Sequence, residues 1–308
     1  MIAIVCPGQG AQTPGFFSPW LELDVFKQTI ENLADSSGVD LLKHGTVSDA
    51  DTIRDTAIAQ PLIVSAGIAS AAVLFNSPSW PDSSGFAAAG HSVGEITAAA
   101  VAGVLSNDDA IKFVTKRGNA MATAAAVQPT SMAAVVGGDE KVVLEKLEAL
   151  GLEPANFNGG GQIVAAGTAE AIEQLKQDAP IGSRVIALQV AGAFHTRFMQ
   201  PAVDVLSQYA ETLTPQDPTM KLFTNATGEL ESSGKNFVDL MVRQVSNPVR
   251  WDLCMDSMLK QGVTAIIELS PAGTLTGLAK RSMPGVELLA VKTPENIEAA
   301  LSLINNHS

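Results

Sequence analysis

A serine at position 92 and a histidine at position 195 are the residues of this sequence best suited to covalent chemistry. The serine sits in "AAAGHSVGEITAAA", residues 87–100, where an alanine-rich run is broken by Gly90-His91-Ser92-Val93-Gly94. A G-x-S-x-G pentapeptide alone says little, since about one chain in ten of this length carries one by chance at ordinary Gly and Ser frequencies. Its context says more. "GFAAAGHS" reads as a short buried strand and "VGEITAAAVAGVLS" as a helix, the strand-turn-helix setting that a nucleophile elbow requires. The flanking glycines allow a tight turn that exposes the hydroxyl. The Val93 N–H then stands at a helix N-terminus, where it can face a developing oxyanion. The plainer alternative is a compact turn in which Ser92 caps the helix.

A nucleophilic serine needs a base. Four histidines are available. His44 falls in a polar loop candidate, "KHGTVSD", His307 in a terminal tail, and His91 in the elbow itself, poorly placed to face the hydroxyl. His195, in "VAGAFHTRF" just after an expected strand, is the remaining candidate. No Asp or Glu between Ser92 and His195 stands at a strand end where it would orient the imidazole. That gap counts against an ordinary α/β-hydrolase triad, and a backbone carbonyl could take the acid's place.

Arg117 is the third residue of interest. On the expected helix "DDAIKFVTKRGNAMATAA" its neighbours at three and four residues are Phe113, Val114, Ala120 and Met121. The guanidinium therefore projects from an apolar stripe. It either snorkels along that surface or forks onto a carboxylate, as the anchor of a substrate that carries one.

These residues need a framework. The 308 residues, 46% apolar and 17% charged, provide for a large core, as one domain with an insertion or as two domains. "IAIVC" at 2–6, "GVTAIIELSP" and "GVELLAV" read as buried parallel strands, and residues 60–75 as a helix with Pro61 in its first turn. A helix opens at "SNDDAIKF", where Ser106 and Asp109 resemble a capping box. From about residue 128 the order becomes β-α-β-β-α-β, the ferredoxin-like pattern. Its strands are "SMAAVVGG", "EPANFN", "QIVAAGT" and "SRVIALQVA". The expected division is 1–127 with 192–308 as an α/β catalytic subdomain, and 128–191 as an inserted ferredoxin-like one.

The net charge of −13 disfavours non-specific binding to nucleic acid or anionic membrane. Two cysteines, Cys6 and Cys254, and four histidines offer no zinc-ligand spacing. The start lacks the basic region of a signal peptide, and no apolar run of about 18 residues escapes charge or glycine punctuation. A cytoplasmic protein is expected, with no metal.

Taken in order, "CPGQGAQ", "AQP" at 59–61, "GHSVGE", "KRGNAM", "NFNGGGQIVAAG", "GAFHT", "NPVRW" and "LTGLAKR" resemble the malonyl-CoA:acyl-carrier-protein transacylases over nearly the whole chain. They also resemble the acyltransferase domains of polyketide and fatty-acid synthases. The resemblance implies an α/β-hydrolase-like parallel-sheet core with a ferredoxin-like insertion. It implies a Ser92–His195 dyad, the histidine held by the backbone carbonyl of Gln244, and an oxyanion hole of the Gln9 and Val93 amides. Arg117 matches the residue that binds the malonyl carboxylate. Phe194 matches the form associated with malonyl over methylmalonyl, and Gln60 a residue near the arginine. Met121 joins the substrate-binding set, and Asn156 and Asn158 match a loop bordering the site. The "GGG" at 159–161 lacks a following Walker lysine and reads as a tight turn. "SPAGTLTGL" departs from the family, which more often has glycine ahead of the proline.

The implied reaction passes malonyl from malonyl-CoA, a coenzyme A thioester, to the phosphopantetheine thiol of a transiently bound acyl carrier protein, without a bound cofactor. Arg184, Lys280 and Arg281 are candidates for docking that acidic carrier, and a monomer is expected. A serine thioesterase or hydrolase, and a non-catalytic carrier-binding module, are the alternatives.

Overall fold

The computed structural model describes residues 1–77, 80 and 85–307. The chain opens with β1 (Ile2–Cys6), α1 (Asp24–Ser37), α2 (Leu41–Thr46) and α3 (Thr56–Phe75). It returns through β2 (Phe86–Gly90), α4 (Gly94–Val101) and α5 (Asn107–Ala125). Next come β3 (Thr130–Gly137), α6 (Glu140–Ala149), β4 (Glu153–Gly159), β5 (Gln162–Thr168), α7 (Ala169–Gln177) and β6 (Ser183–Ala187). The last third holds α8 (Gln200–Ala210), β7 (Lys221–Leu222), α9 (Gly234–Gln244), β8 (Val249–Arg250) and α10 (Trp251–Lys260). It ends with β9 (Ala265–Glu268), α11 (Thr274–Ser282), β10 (Glu287–Ala290) and α12 (Ile297–His307).

Two sheets result. The first is wholly parallel, in the order β10-β9-β1-β2-β7. Its central strands β1 and β2 are buried along their whole length, which is why they read as unbroken apolar runs rather than alternating ones. The second sheet has the order β6-β3-β5-β4, antiparallel throughout, with β8 added parallel to β4. The expected β-α-β-β-α-β run is therefore present, with a ferredoxin-like strand order. The extra strand from "NPVRW" was not anticipated. At two residues it is too short to leave a periodic signal.

The helix expected to begin at Gln60 begins four residues earlier. Asp55 caps it, its carboxylate accepting from the Ala57 N–H, so Pro61 lies inside α3 rather than in its first turn. α3 has a mean hydropathy of 1.9 over a membrane-spanning length, yet most of it is buried within the protein. Gly67 is no punctuation there, because a Cβ would come within 2.5 Å of Thr97 on α4. α3 is a core helix packed against α1, α4 and α5. The segments holding the two outlying histidines are also regular: His44 lies in α2, and His307 lies in α12, bonded to Thr264 and Glu287.

One acid ties the parallel sheet to a helix beside the cavity described below. Glu268, at the end of β9 and fully buried, accepts from the N–H groups of Leu275 and Thr276 at 2.9 Å each and from the Thr276 hydroxyl at 2.8 Å. It does for α11 what an N-cap side chain would do, since the residue at that position is Gly273. Glu268→Ala strands these donors and is expected to destabilise the protein by about 3 kcal/mol. Urea unfolding checks this: the midpoint falls while the m-value holds.

Candidate active site

The elbow is built where β1, β2 and α4 come closest. A Cβ on Gly90 would stand 2.0 Å from the Gly94 carbonyl carbon, and one on Gly94 would stand 2.1 Å from the Cys6 oxygen. Neither position admits a side chain. Between them Ser92 takes φ +54°, the left-handed region, which lifts its hydroxyl off the strand. The Cys6 carbonyl accepts from the His91 N–H at 3.0 Å, and Asn225 Oδ1 accepts from the Ser92 N–H at 2.8 Å. Among the described residues, His195 at φ +61° is the only other non-glycine with positive φ. Backbone strain is thus concentrated at the two residues that meet.

They meet closely. Ser92 Oγ lies 2.7 Å from His195 Nε2, and His195 Nδ1 lies 2.8 Å from the Gln244 carbonyl oxygen. The His195 N–H also donates to the Val245 carbonyl at 3.1 Å, so the end of α9 holds the imidazole by ring and by main chain. With Nδ1–H given to that carbonyl, Nε2 is the free lone pair facing the serine. Burial, and then the positive charge of Arg117, hold the His195 pKa down to about 3, so the ring is neutral. Glu95, the acid three residues past the serine, is buried but does not touch the ring.

Arg117 is 2% exposed and does not snorkel. Its Nη1 donates to Gln60 Oε1 at 2.7 Å, and its Nη2 to Gln244 Oε1 at 3.2 Å and to Ser92 Oγ at 3.4 Å. Burial lowers its pKa to about 10, and the Glu95 carboxylate opposes that fall. Gln60 in turn donates to the Met121 sulfur at 3.4 Å.

These groups open onto a cavity of about 260 Å³ lined by Gln9, Gln60, Ser92, Val93, Arg117, Met121, Asn156, Asn158, Phe194 and His195, among others. In α4 the first amides to find acceptors are those of Gly94, Glu95 and Ile96, which leaves the Val93 N–H one place ahead at the cavity wall. The loop carrying Gln9 is pressed onto the elbow at Gly8, where a Cβ would lie 2.8 Å from the His91 oxygen. Its side chain is tied to the Arg54 carbonyl at 3.3 Å.

Asn156 and Asn158 are on β4, the strand expected from "EPANFN". The site border that the resemblance implied as a loop is this strand, which pairs with β5 on one side and β8 on the other. Asn158 Oδ1 lies 2.8 Å from His91 Nε2, and its amide donates to Gln162. The glycines 159–161 make the tight β4–β5 turn. Arg184 is exposed on β6, and Lys280 and Arg281 are exposed in the last turn of α11; none of the three lines the cavity. Among the described residues no cluster of three potential metal ligands occurs.

Sequence reasoning missed Glu95 and Asn225. Asn225 donates to the Gly90 carbonyl at 2.7 Å, and its N–H donates to Glu95 Oε1 at 2.6 Å. Glu95 was visible within "GHSVGE" as an acid on an otherwise apolar helix. Asn225, in a loop with no periodic pattern, had no such signal.

A neutral imidazole bonded to a seryl hydroxyl, at the head of a parallel sheet, equips a site for acyl transfer through a serine ester. Residues 3–293 match the family model of the acyl transferase domain, and the chain belongs to that family. It is 46% identical to the malonyl CoA-acyl carrier protein transacylase of Mycobacterium tuberculosis H37Rv, over 98% of this chain and 100% of that one. Against the enzyme of the same name from Escherichia coli K12 the identity is 33%, over 98% and 99%. The crystal structure of MCAT from M. tuberculosis superposes with a TM-score of 0.95 at 46% identity, over 98% of this chain and 99% of that one. A type II PKS acyl-carrier protein in complex with its malonyl-transacylase contains a chain that superposes at 0.92 with 30% identity, over 98% and 99%.

The depressed His195 pKa has a kinetic signature. A fluorophosphonate carrying no carboxylate should label Ser92 at a rate that stays level to below pH 5, where a histidine at its ordinary 6.5 would already be mostly protonated. Arg117→Ala should move that acid limb upward. The same shift costs stability as pH falls below 6.5, because the unfolded chain then binds a proton the folded ring refuses. Labelling rates from pH 4.5 to 8, with Ser92→Ala as blank, measure the limb.

Proposed function

We propose that this chain transfers a malonyl group from malonyl-CoA to the phosphopantetheine thiol of an acyl carrier protein, with Ser92 as nucleophile and His195 as its base. One observation carries the acyl choice. Arg117 Nη2 stands 3.4 Å from Ser92 Oγ, so a carboxylate two bonds from the ester carbonyl falls within the guanidinium's reach. Membership of the acyl transferase family and the relatives' names support the same reading.

His195 Nε2 takes the Ser92 proton as Oγ attacks the thioester carbon. The Gln9 and Val93 amides receive the oxyanion, and the loss of one such donor costs about 3 kcal/mol of transition-state stabilisation. The C–S bond breaks, and the imidazolium returns its proton to the departing coenzyme A thiol. Malonyl remains as a serine ester with its carboxylate on Arg117, and Phe194 packs against the cavity. The carrier's thiol then gives its proton to His195, attacks the ester and leaves charged, restoring the Ser92 hydroxyl. Asn156 and Asn158 border the acyl chain, while Gln60 and Met121 support Arg117. The working unit is a monomer in the cytoplasm, with residues 128–191 as the inserted subdomain. Arg184, Lys280 and Arg281 remain the candidate carrier-docking cations.

Brief incubation with malonyl-CoA should add one malonyl mass to the wild type and none to Ser92→Ala, by intact-protein mass spectrometry. A holo carrier protein should discharge the ester, and water only slowly. Rapid release of free malonate would instead indicate a hydrolase, and no ester with no malonate a binding module.

Arg117→Ala should lower malonyl kcat/KM by at least a hundredfold, about 2.7 kcal/mol, while acetyl transfer gains relative to it. Kinetics with malonyl-CoA and acetyl-CoA check this, and a retained malonyl preference removes Arg117 from the acyl site.

A further inference from the structure

The Arg117 guanidinium is buried, and its three hydrogen-bond acceptors, on Gln60, Gln244 and Ser92, are neutral oxygens. Fork geometry matters to such a group, since a carboxylate binds best to two parallel N–H donors. Gln60 fixes one arm. The other arm rests on the Gln244 carboxamide, whose two ends are nearly alike in shape and opposite in hydrogen bonding. Only its oxygen can accept from a guanidinium, so something must decide which end faces Arg117.

Two oxygens face the Gln244 NH2 group. Glu95 Oε2 accepts from it at 2.5 Å and Asn225 Oδ1 at 3.0 Å. Asn225 is itself locked, because its own NH2 donates to the Gly90 carbonyl. The second Glu95 oxygen accepts from the Asn225 N–H. Glu95 is 1% exposed and meets neither the serine, the imidazole nor the cavity in any of these bonds. A buried acid is costly to keep unless its acceptors are needed, and here one oxygen is spent on the Gln244 carboxamide and the other on the Asn225 main-chain N–H.

We propose that Glu95 is a positioning residue for acyl selectivity: it turns the Gln244 carboxamide so that its oxygen meets Arg117, and so aims the guanidinium at the carboxylate of a dicarboxylic acyl group. The inference rests on the reading of Arg117 as the acyl anchor. It also gives Gln244 two separable parts, a main-chain oxygen that holds the base and a side chain that holds the anchor.

Glu95→Gln is isosteric and keeps one acceptor, but it sets NH2 against either Gln244 or the Asn225 N–H. The malonyl-over-acetyl ratio of kcat/KM should fall about tenfold, chiefly through a higher KM for malonyl-CoA, with acetyl loading changed less than threefold. Gln244→Met keeps the carbonyl on His195 and removes the carboxamide, and should lower the ratio to the same extent. It serves as the reporter should Glu95→Gln fail to fold. Equal losses for both acyl groups, or an unchanged ratio, in a folded variant would overturn the proposal, since support of the fold alone cannot distinguish malonyl from acetyl. Arg117→Ala run alongside separates the two readings. If it keeps malonyl preference, the anchor itself is wrong. If it loses that preference while the other two variants keep theirs, only the role of Glu95 falls.

Discussion

The left-handed backbone at Ser92 is the constraint on which the site depends. A non-glycine residue there costs about 1–2 kcal/mol, and the surrounding structure must over-determine it. Two features do so. The flanking glycines let α4 start almost in contact with the end of β1, at separations that exclude a Cβ. The Asn225 side chain then bonds the Ser92 N–H and, at its other end, the Gly90 carbonyl, bridging the turn across its mouth. The parallel sheet matters to this chemistry mainly as the rigid edge that makes so tight a turn possible.

From that turn a second consequence follows. An elbow that presents its hydroxyl to a buried imidazole and a buried guanidinium places a cation beside the ring, and burial first, then the cation, depresses the ring's pKa. The chain answers with neutral acceptors for Arg117 and with an acid one carboxamide away, not in contact. Burial raises the Glu95 pKa, and it stands at about 8 even though Asn225, Thr224, the charge of Arg117 and Gln244 all pull it down. A carboxylate placed directly on Arg117 would satisfy the guanidinium from within and leave no call for an external one. Keeping the acid at one remove leaves the guanidinium with neutral acceptors only, and under the proposed function that is what lets a carboxylate on the acyl group discriminate.

Much of this was legible in the sequence, and the part that was not has a physical reason. Local signals survive into the fold: β1 and β2 as apolar runs, Ser106 capping α5, and the antiparallel run from Thr130 to Ala187. His195 emerged by elimination because histidines are few. Arg117 emerged because a guanidinium on an apolar stripe is a visible anomaly. What failed depends on distant partners. β8 exists only because β4 offers it an edge. Pro61 misled because Asp55 starts the helix earlier and supplies a cap. The acceptor for His195 was beyond residue-type reasoning, since any residue could provide a main-chain oxygen.

The antiparallel sheet completes the argument, because its period of two divides it into a cavity face and a core face. Met132 and Ala134 on β3 and Gln162 and Val164 on β5 line the cavity, while Ala133, Val135, Ile163 and Ala165 pack into the core with α6 and α7. A slip of one residue in either strand would exchange the two sets. On β4 the cavity positions are Asn156 and Asn158, and Asn158 bonds the ring of His91, the residue before the serine. The elbow is therefore held from both sides, by Asn225 at the Ser92 amide and by Asn158 at His91. The position of Ser92 is set by two carboxamides from opposite layers, so the register of one sheet bears directly on the aim of a hydroxyl mounted on the other.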